Sequence, residues 1–270
     1  MAITTMDGLV SALGGAQKLI VNKANVTAVA GRTLSLWSGA GQPGVGSTTI
    51  GNATSGAVPV STDTGSLGFV NPVSGNSYIG GIRGISAATG LIIIYDMLWA
   101  WSSPTGWVVT TTGAQSTSSP TALTRPDANG VNSELWIETI SAGGSASGTS
   151  TITYTNSAGT GSKTATLLSG APISSPPIGT IQMYGLTAGD NGVKSVQSIN
   201  NSATWTSGIQ KVMIVRRVAE VPCQANVGFS YNAIDLGMTR VYDSAALGVA
   251  FNANSTASGP TQFTITLAQG

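Results

Sequence analysis

The residues able to carry chemistry are few: ten Asp and Glu, eleven Lys and Arg, one cysteine and no histidine among 270 residues. Without an imidazole, Ser-His-Asp and Cys-His mechanisms, the common zinc sites and the usual proton shuttle near neutral pH have nothing to run on. What remains is carboxylate chemistry, in which two acids must face one bond. Glu134 and Glu138 are the pair whose spacing invites it. Ser133 to Ile140 alternates, with Leu135 and Ile137 on one face and Glu134, Trp136 and Glu138 on the other. Four residues of strand separate the two acids by about 13 Å, beyond the roughly 5 to 9.5 Å that glycosidases use. They read as a solvated face.

Asp96 stands inside the most apolar run of the chain, where a carboxylate needs a hydrogen-bonded or charged partner. A structural pairing is the expectation there. Cys223 follows Pro222 with no base nearby and reads as a small buried hydrophobe. Gly39 to Gly44, GAGQPG, matches GxGxxG, but Pro43 and the VGSTTIGNATSG that follows offer no helix to aim at a phosphate, so it reads as a loop. Asp127-Ala-Asn129-Gly130 opens like a calcium loop and lacks the remaining acidic ligands, which makes it a turn. Six tryptophans complete the inventory. Burial is expected for most, while aromatics on a weakly charged surface also suit protein interfaces and sugar stacking. Trp37, Trp107, Trp136 and Arg32 are the interface candidates; no catalytic, cofactor or metal residue is assigned.

The element that must position these groups is Leu91 to Trp101, LIIIYDMLWAW. As a strand it places Leu91, Ile93, Tyr95, Met97, Trp99 and Trp101 on one face and Ile92, Ile94, Asp96, Leu98 and Ala100 on the other. Both faces are apolar, the mark of a central strand buried on two sides, and flanking Gly90 and Pro104 favour strand over helix. Elsewhere a helix is predicted within 4–19, with Thr4 and Asp7 as a capping box and Gly14 and Gly15 as the stop. A possible strand at Lys18 to Val29 leads to a long Gly/Ser/Thr/Pro region from Ser38 to about Pro72. That region reads as an extended segment lying over a partner or another subunit, with a disordered stretch as the alternative.

From Tyr78 onward strands alternate with turns. Thr151 to Leu167 is the clearest hairpin, around a loop at Asn156 to Gly161. Ser169 to Pro177 reads as a linker or crossover, and further strands are predicted at 178–186, 193–199, 211–218 and 262–267. Residues 232–250 show no dominant period. The expected fold is all-β and mainly antiparallel, a β-sandwich or jelly-roll type with a short N-terminal helix. Three regions are expected: an N-terminal helix and extended arm at 1–75, a β-rich core at 76–170, and a second β-rich half at 171–270, with one continuous domain over 76–270 as the alternative.

Composition limits function further. Charged residues make up 8% of the chain, against about 25% in ordinary soluble proteins, yet 41% are hydrophobic in strand-sized runs, so the chain should fold. Eleven scattered cations and a net charge of +1 cannot neutralise a row of phosphates, so no nucleic-acid partner is expected. One cysteine allows no internal disulfide, and neither a secretory leader nor a membrane span is apparent. Folding in a reducing cytoplasm follows as the expectation.

Seven segments carry a resemblance: LSLWSGAGQPGVGS (Leu34 to Ser47), YDMLW (Tyr95 to Trp99), ALTRPDANG (Ala122 to Gly130), ELWIE (Glu134 to Glu138), ITYTNSAGTGSKTAT (Ile152 to Thr166), AGDNGVKSVQSI (Ala188 to Ile199) and RVYDSA (Arg240 to Ala245). In order along most of the chain, they resemble a group of tailed-bacteriophage virion structural proteins, most closely a capsid cement or decoration protein. The resemblance implies a non-enzymatic protein, made in the bacterial cytoplasm and located on the virion capsid. It would self-associate as a homotrimer, bind the major capsid protein and stabilise the shell, with no cofactor and no membrane or nucleic-acid partner. The alternative is a tail or receptor-binding module that contacts host glycans. A hydrolase would require two of the ten acids to converge in a cleft.

Overall fold

The computed structural model describes residues 3–52, 54–102, 107–146 and 148–270; Pro104, used above to bound the central run, lies outside them. One helix, α1 (Met6–Gly14), opens the chain. Strands follow as β1 (Gln17–Ala28), β2 (Thr33–Ser35), β3 (Ser77–Ser86), β4 (Gly90–Trp101), β5 (Trp107–Val108), β6 (Gly113–Ser116), β7 (Glu134–Ser141) and β8 (Ser150–Asn156). The second half adds β9 (Lys163–Leu167), β10 (Thr180–Gly185), β11 (Val193–Asn201), β12 (Ile209–Cys223), β13 (Gly228–Asn232), β14 (Arg240–Val241), β15 (Leu247–Ala253) and β16 (Ala257–Gln269). The all-β, mainly antiparallel expectation is what the chain adopts.

The chain forms two compact units, and both are discontinuous in sequence. Unit 1 takes 1–46, 60–96 and 217–270; unit 2 takes 47–59 and 97–216. The expected divisions at 75 and 170 are therefore not where the chain divides. Residues 1–75 do not form a separate arm, because β1 lies antiparallel to β16 from Gln17↔Leu267 to Ala28↔Ala257. Ser169 to Pro177 joins two parts of unit 2 and is not a crossover between halves. Two of the four divisions fall within strands, at Asp96/Met97 in β4 and Arg216/Arg217 in β12, and the other two, at 46/47 and 59/60, fall in loops.

In unit 1 one sheet runs β1-β16-β3-β13, with β14 also on β3, and a second contains β2-β15-β4. Alternation drives the first. Leu19 and Val21 of β1 and Phe263, Ile265 and Leu267 of β16 point inward, while Lys18, Ile20 and Asn22 point out. A bulge between Lys23 and Val26 shifts the phase by one, which returns Val26 and Ala28 to the interior. Side chains from both sheets, among them Ile82, Ile92, Ile94, Val249, Phe251 and Ile265, make a single core.

Unit 2 carries the run β12-β7-β10-β9-β8-β11-β6, with β5 also on β12. Its core collects Leu98, Trp99, Trp101, Leu135, Ile137, Ile152, Tyr154, Val196, Val212 and Ile214. The predicted hairpin is present as β8 and β9, from Thr151↔Thr166 to Tyr154↔Lys163. The predicted central strand is β4, in which every residue from Ile92 to Trp101 is buried. Residues 232–250, which showed no period, hold a turn, two-residue β14 and the start of β15; pieces this short cannot establish a repeat.

The helix forms as expected with a different cap. Thr5, not Thr4, is the N-cap, and its hydroxyl accepts from Gly8 N–H at 3.0 Å. The region 38–72 packs on its own chain through the bridges Ala57↔Ala100 in unit 2 and Val60↔Ala245 in unit 1. Its glycines explain part of that route. At Gly46 a Cβ would stand 2.0 Å from Trp37 Nε1, so only glycine lets the loop close over the indole.

Candidate functional site

Three of the four interface candidates are interior. Trp37, Trp107 and Trp136 are 2%, 0% and 0% exposed, and Trp99, Trp101 and Trp205 are buried as well. Only Arg32, in the turn between β1 and β2, remains partly exposed. Tryptophans offer no sugar-stacking or docking surface on this chain; their area is spent on the cores.

The face of β7 carrying Glu134, Trp136 and Glu138 has the predicted alternation and is covered, with only Glu134 at its end partly exposed. Glu138 is fully buried and pairs with Lys211 at 2.5 Å, its cross-strand neighbour on β12. Trp136 sits opposite Met213 and donates its Nε1–H to Glu134 Oε2 at 2.9 Å. The strand lies between β12 and β10 in the middle of its sheet and is covered on both faces, so a buried acid needed a buried cation. Lysine 73 residues downstream gave no local signal of that pairing.

Most of the other acids also serve the fold. Asp63, Asp127 and Asp235 accept backbone N–H groups from Val60, from Asn129 and Gly130, and from Asn232. The Asp127 motif is thus the turn its sequence suggested. Glu220 pairs with Arg217. Asp96 is fully buried at Leu247 in the β15 register and is not without a partner. Asp190 accepts from the Tyr154 hydroxyl at 2.6 Å and from Asn156 Nδ2 at 2.7 Å, which hold its carboxyl below the usual range. Burial, and then the same bond, raise Tyr154. Among the described residues no three His, Cys, Asp or Glu are grouped to hold a metal ion.

The GAGQPG segment has a role that its motif did not suggest. Lys23 points into unit 1 at 2% exposure and donates through Nζ to the carbonyls of Gly39 and Pro43, both at 2.6 Å. The loop is pinned beside β1 by reciprocal bonds between Asn22 and Gln42. Gly41, at φ +130°, passes so close that a Cβ would meet Asn22 O at 2.1 Å. Burial pulls Lys23 down to about 8. The loop therefore cradles an ammonium with the carbonyls of Gly39 and Pro43 rather than a phosphate with N–H groups.

What unit 1 presents outward is a sheet face. Cross-strand rows Ile20–Thr264–Arg83–Ser230 and Asn22–Gln262–Ile85–Gly228 lie across β1, β16, β3 and β13. Ile20 and Ile85 are 56% and 39% exposed, and a shallow depression of about 480 Å³ opens beside them over Gly84. Lys18 and Arg83 add the only charges in its centre. Such a surface is chemically inert and suited to contact. Among the described residues no helix is long and apolar enough to cross a membrane. No family model, no curated protein and no solved structure matches this chain.

Proposed function

We propose that the chain is a non-enzymatic structural protein of a bacteriophage particle, binding the major capsid protein and stabilising the shell as a cement or decoration protein. The observation that carries this reading is the structural employment of the acids: eight of ten cap turns, pair with cations, lie buried or accept side-chain hydrogen bonds in the fold. The motif series along the chain is its second support. The sandwich reading of unit 1, two antiparallel sheets closed over one core, belongs to the same proposal and suits a rigid building block.

The contact surface of this proposal is the outer face of β1, β16, β3 and β13, not an N-terminal arm, since residues 1–75 are built into the chain's own units. A nearly neutral face binds by many modest contacts, and homotrimeric symmetry repeats them over the shell. Adding purified protein to shells that lack it tests this directly. Binding should saturate at regular shell positions and raise the temperature of shell rupture, and Ile20→Lys with Ile85→Lys should abolish both while leaving the protein's own melting unchanged. Binding that survives both substitutions rules out this face. The tail or receptor-binding alternative loses the exposed tryptophans on which it was founded.

A further inference from the structure

A cleft of about 810 Å³ lies wholly within unit 1, where β13 passes the ends of β4, β12 and β15. Its walls include Pro222, Gln224, Phe229, Tyr231, Asn252 and Asn254, and no Asp, Glu, Lys or Arg lines it. We infer that this cleft is a binding site for a neutral saccharide. The volume lies within the roughly 300–1,000 Å³ typical of small-ligand sites.

The lining fits that ligand class in three respects. Phe229 and Tyr231 line the cleft half-buried, with ring centroids 6.4 Å apart and planes tilted by 41°, and they pack against the core of unit 1, so the exposed parts of the two rings give the cleft an apolar patch for the C–H side of a pyranose. The Tyr231 hydroxyl donates to the Pro222 carbonyl at 3.0 Å, which fixes the ring before a ligand arrives. The side-chain amides of Gln224, Asn252 and Asn254 are exposed and make no hydrogen bond among the described residues. Each carries donors and an acceptor, the combination that reads vicinal hydroxyls. An anionic glycan would find no cation here. A peptide adding to the sheet edge would find only five residues of β13 before the turn at 233–238.

The site does not depend on the shell proposal, and the two are tested by different measurements. The full chain is applied to an array of neutral, sialylated and sulfated glycans, and the best neutral glycan is then titrated calorimetrically. The result expected is selective retention of neutral glycans. Tyr231→Ala and Asn254→Ala should each weaken binding at least about tenfold, a loss of about 1.4 kcal/mol. Asn254→Ala changes an exposed amide and should melt as the wild type does, so it decides the matter if Tyr231→Ala misfolds. A silent array, a preference for sialylated or sulfated glycans, or undiminished binding by Asn254→Ala would overturn the assignment.

Discussion

Glu138 and Lys211 show how one residue's environment reverses its meaning. Each is buried, and each makes the other tolerable, so removing one leaves an uncompensated charge inside unit 2. Glu138→Gln or Lys211→Met should cost about 3–5 kcal/mol by denaturant unfolding, whereas replacing both with apolar residues of similar volume should cost far less. Lys23 makes a different prediction. Its folded pKa of about 8 lies below the ordinary 10.5, so between those values the unfolded chain binds more protons and stability rises with pH. Relative to Lys23→Met, the wild type should gain in melting temperature from about pH 7.5 to about pH 10; a wild type that loses ground to the variant over that range contradicts the burial. Asp190 works in the opposite window. Its lowered pKa contributes stability above the ordinary carboxylate range that is lost as pH falls through the folded value, and Asp190→Asn should flatten that acid limb. At this scale the sequence was a fair guide to absences and a poor one to partners. The missing histidine was legible at once, but nothing near Glu138 or the GAGQPG loop announced Lys211 or Lys23.

Among elements, β4 was the most legible, because eleven residues without Gly or Pro and with both faces apolar admit few other fates. What periodicity could not reveal is that the strand serves two cores, with Ile92 and Ile94 in one and Leu98, Trp99 and Trp101 in the other. The face of β7 misled for a related reason. Alternation reports which residues share a face and is silent on whether that face is covered, since coverage is decided by distant segments. The N-terminal region was misread on length: a Gly-rich stretch with no period looks like an arm, while here its glycines close it over Trp37 and around Lys23. Truncation separates the parts. Removing residues 1–15 takes away α1, whose one buried side chain is Leu9, and should cost only about 1–3 kcal/mol. Removing residues 1–28 also strips β1 from β16, and should leave unit 1 unfolded by hydrogen exchange and near-ultraviolet dichroism.

For the whole molecule, low charge is the organising fact. Ten acids and eleven bases among 270 residues are few, so the exterior is polar and only sparsely charged. Such an exterior gives little long-range steering and little repulsion between copies. That combination suits a protein assembled many times on one particle, where symmetry multiplies weak contacts. Counting the chain in purified particles, by quantitative mass spectrometry and by electron cryo-microscopy of the shell, tests this most directly. The account predicts on the order of hundreds of copies in regular positions on the shell, seated through the face of Ile20 and Ile85. A dozen copies or fewer, confined to the tail, or no copies at all, would contradict it.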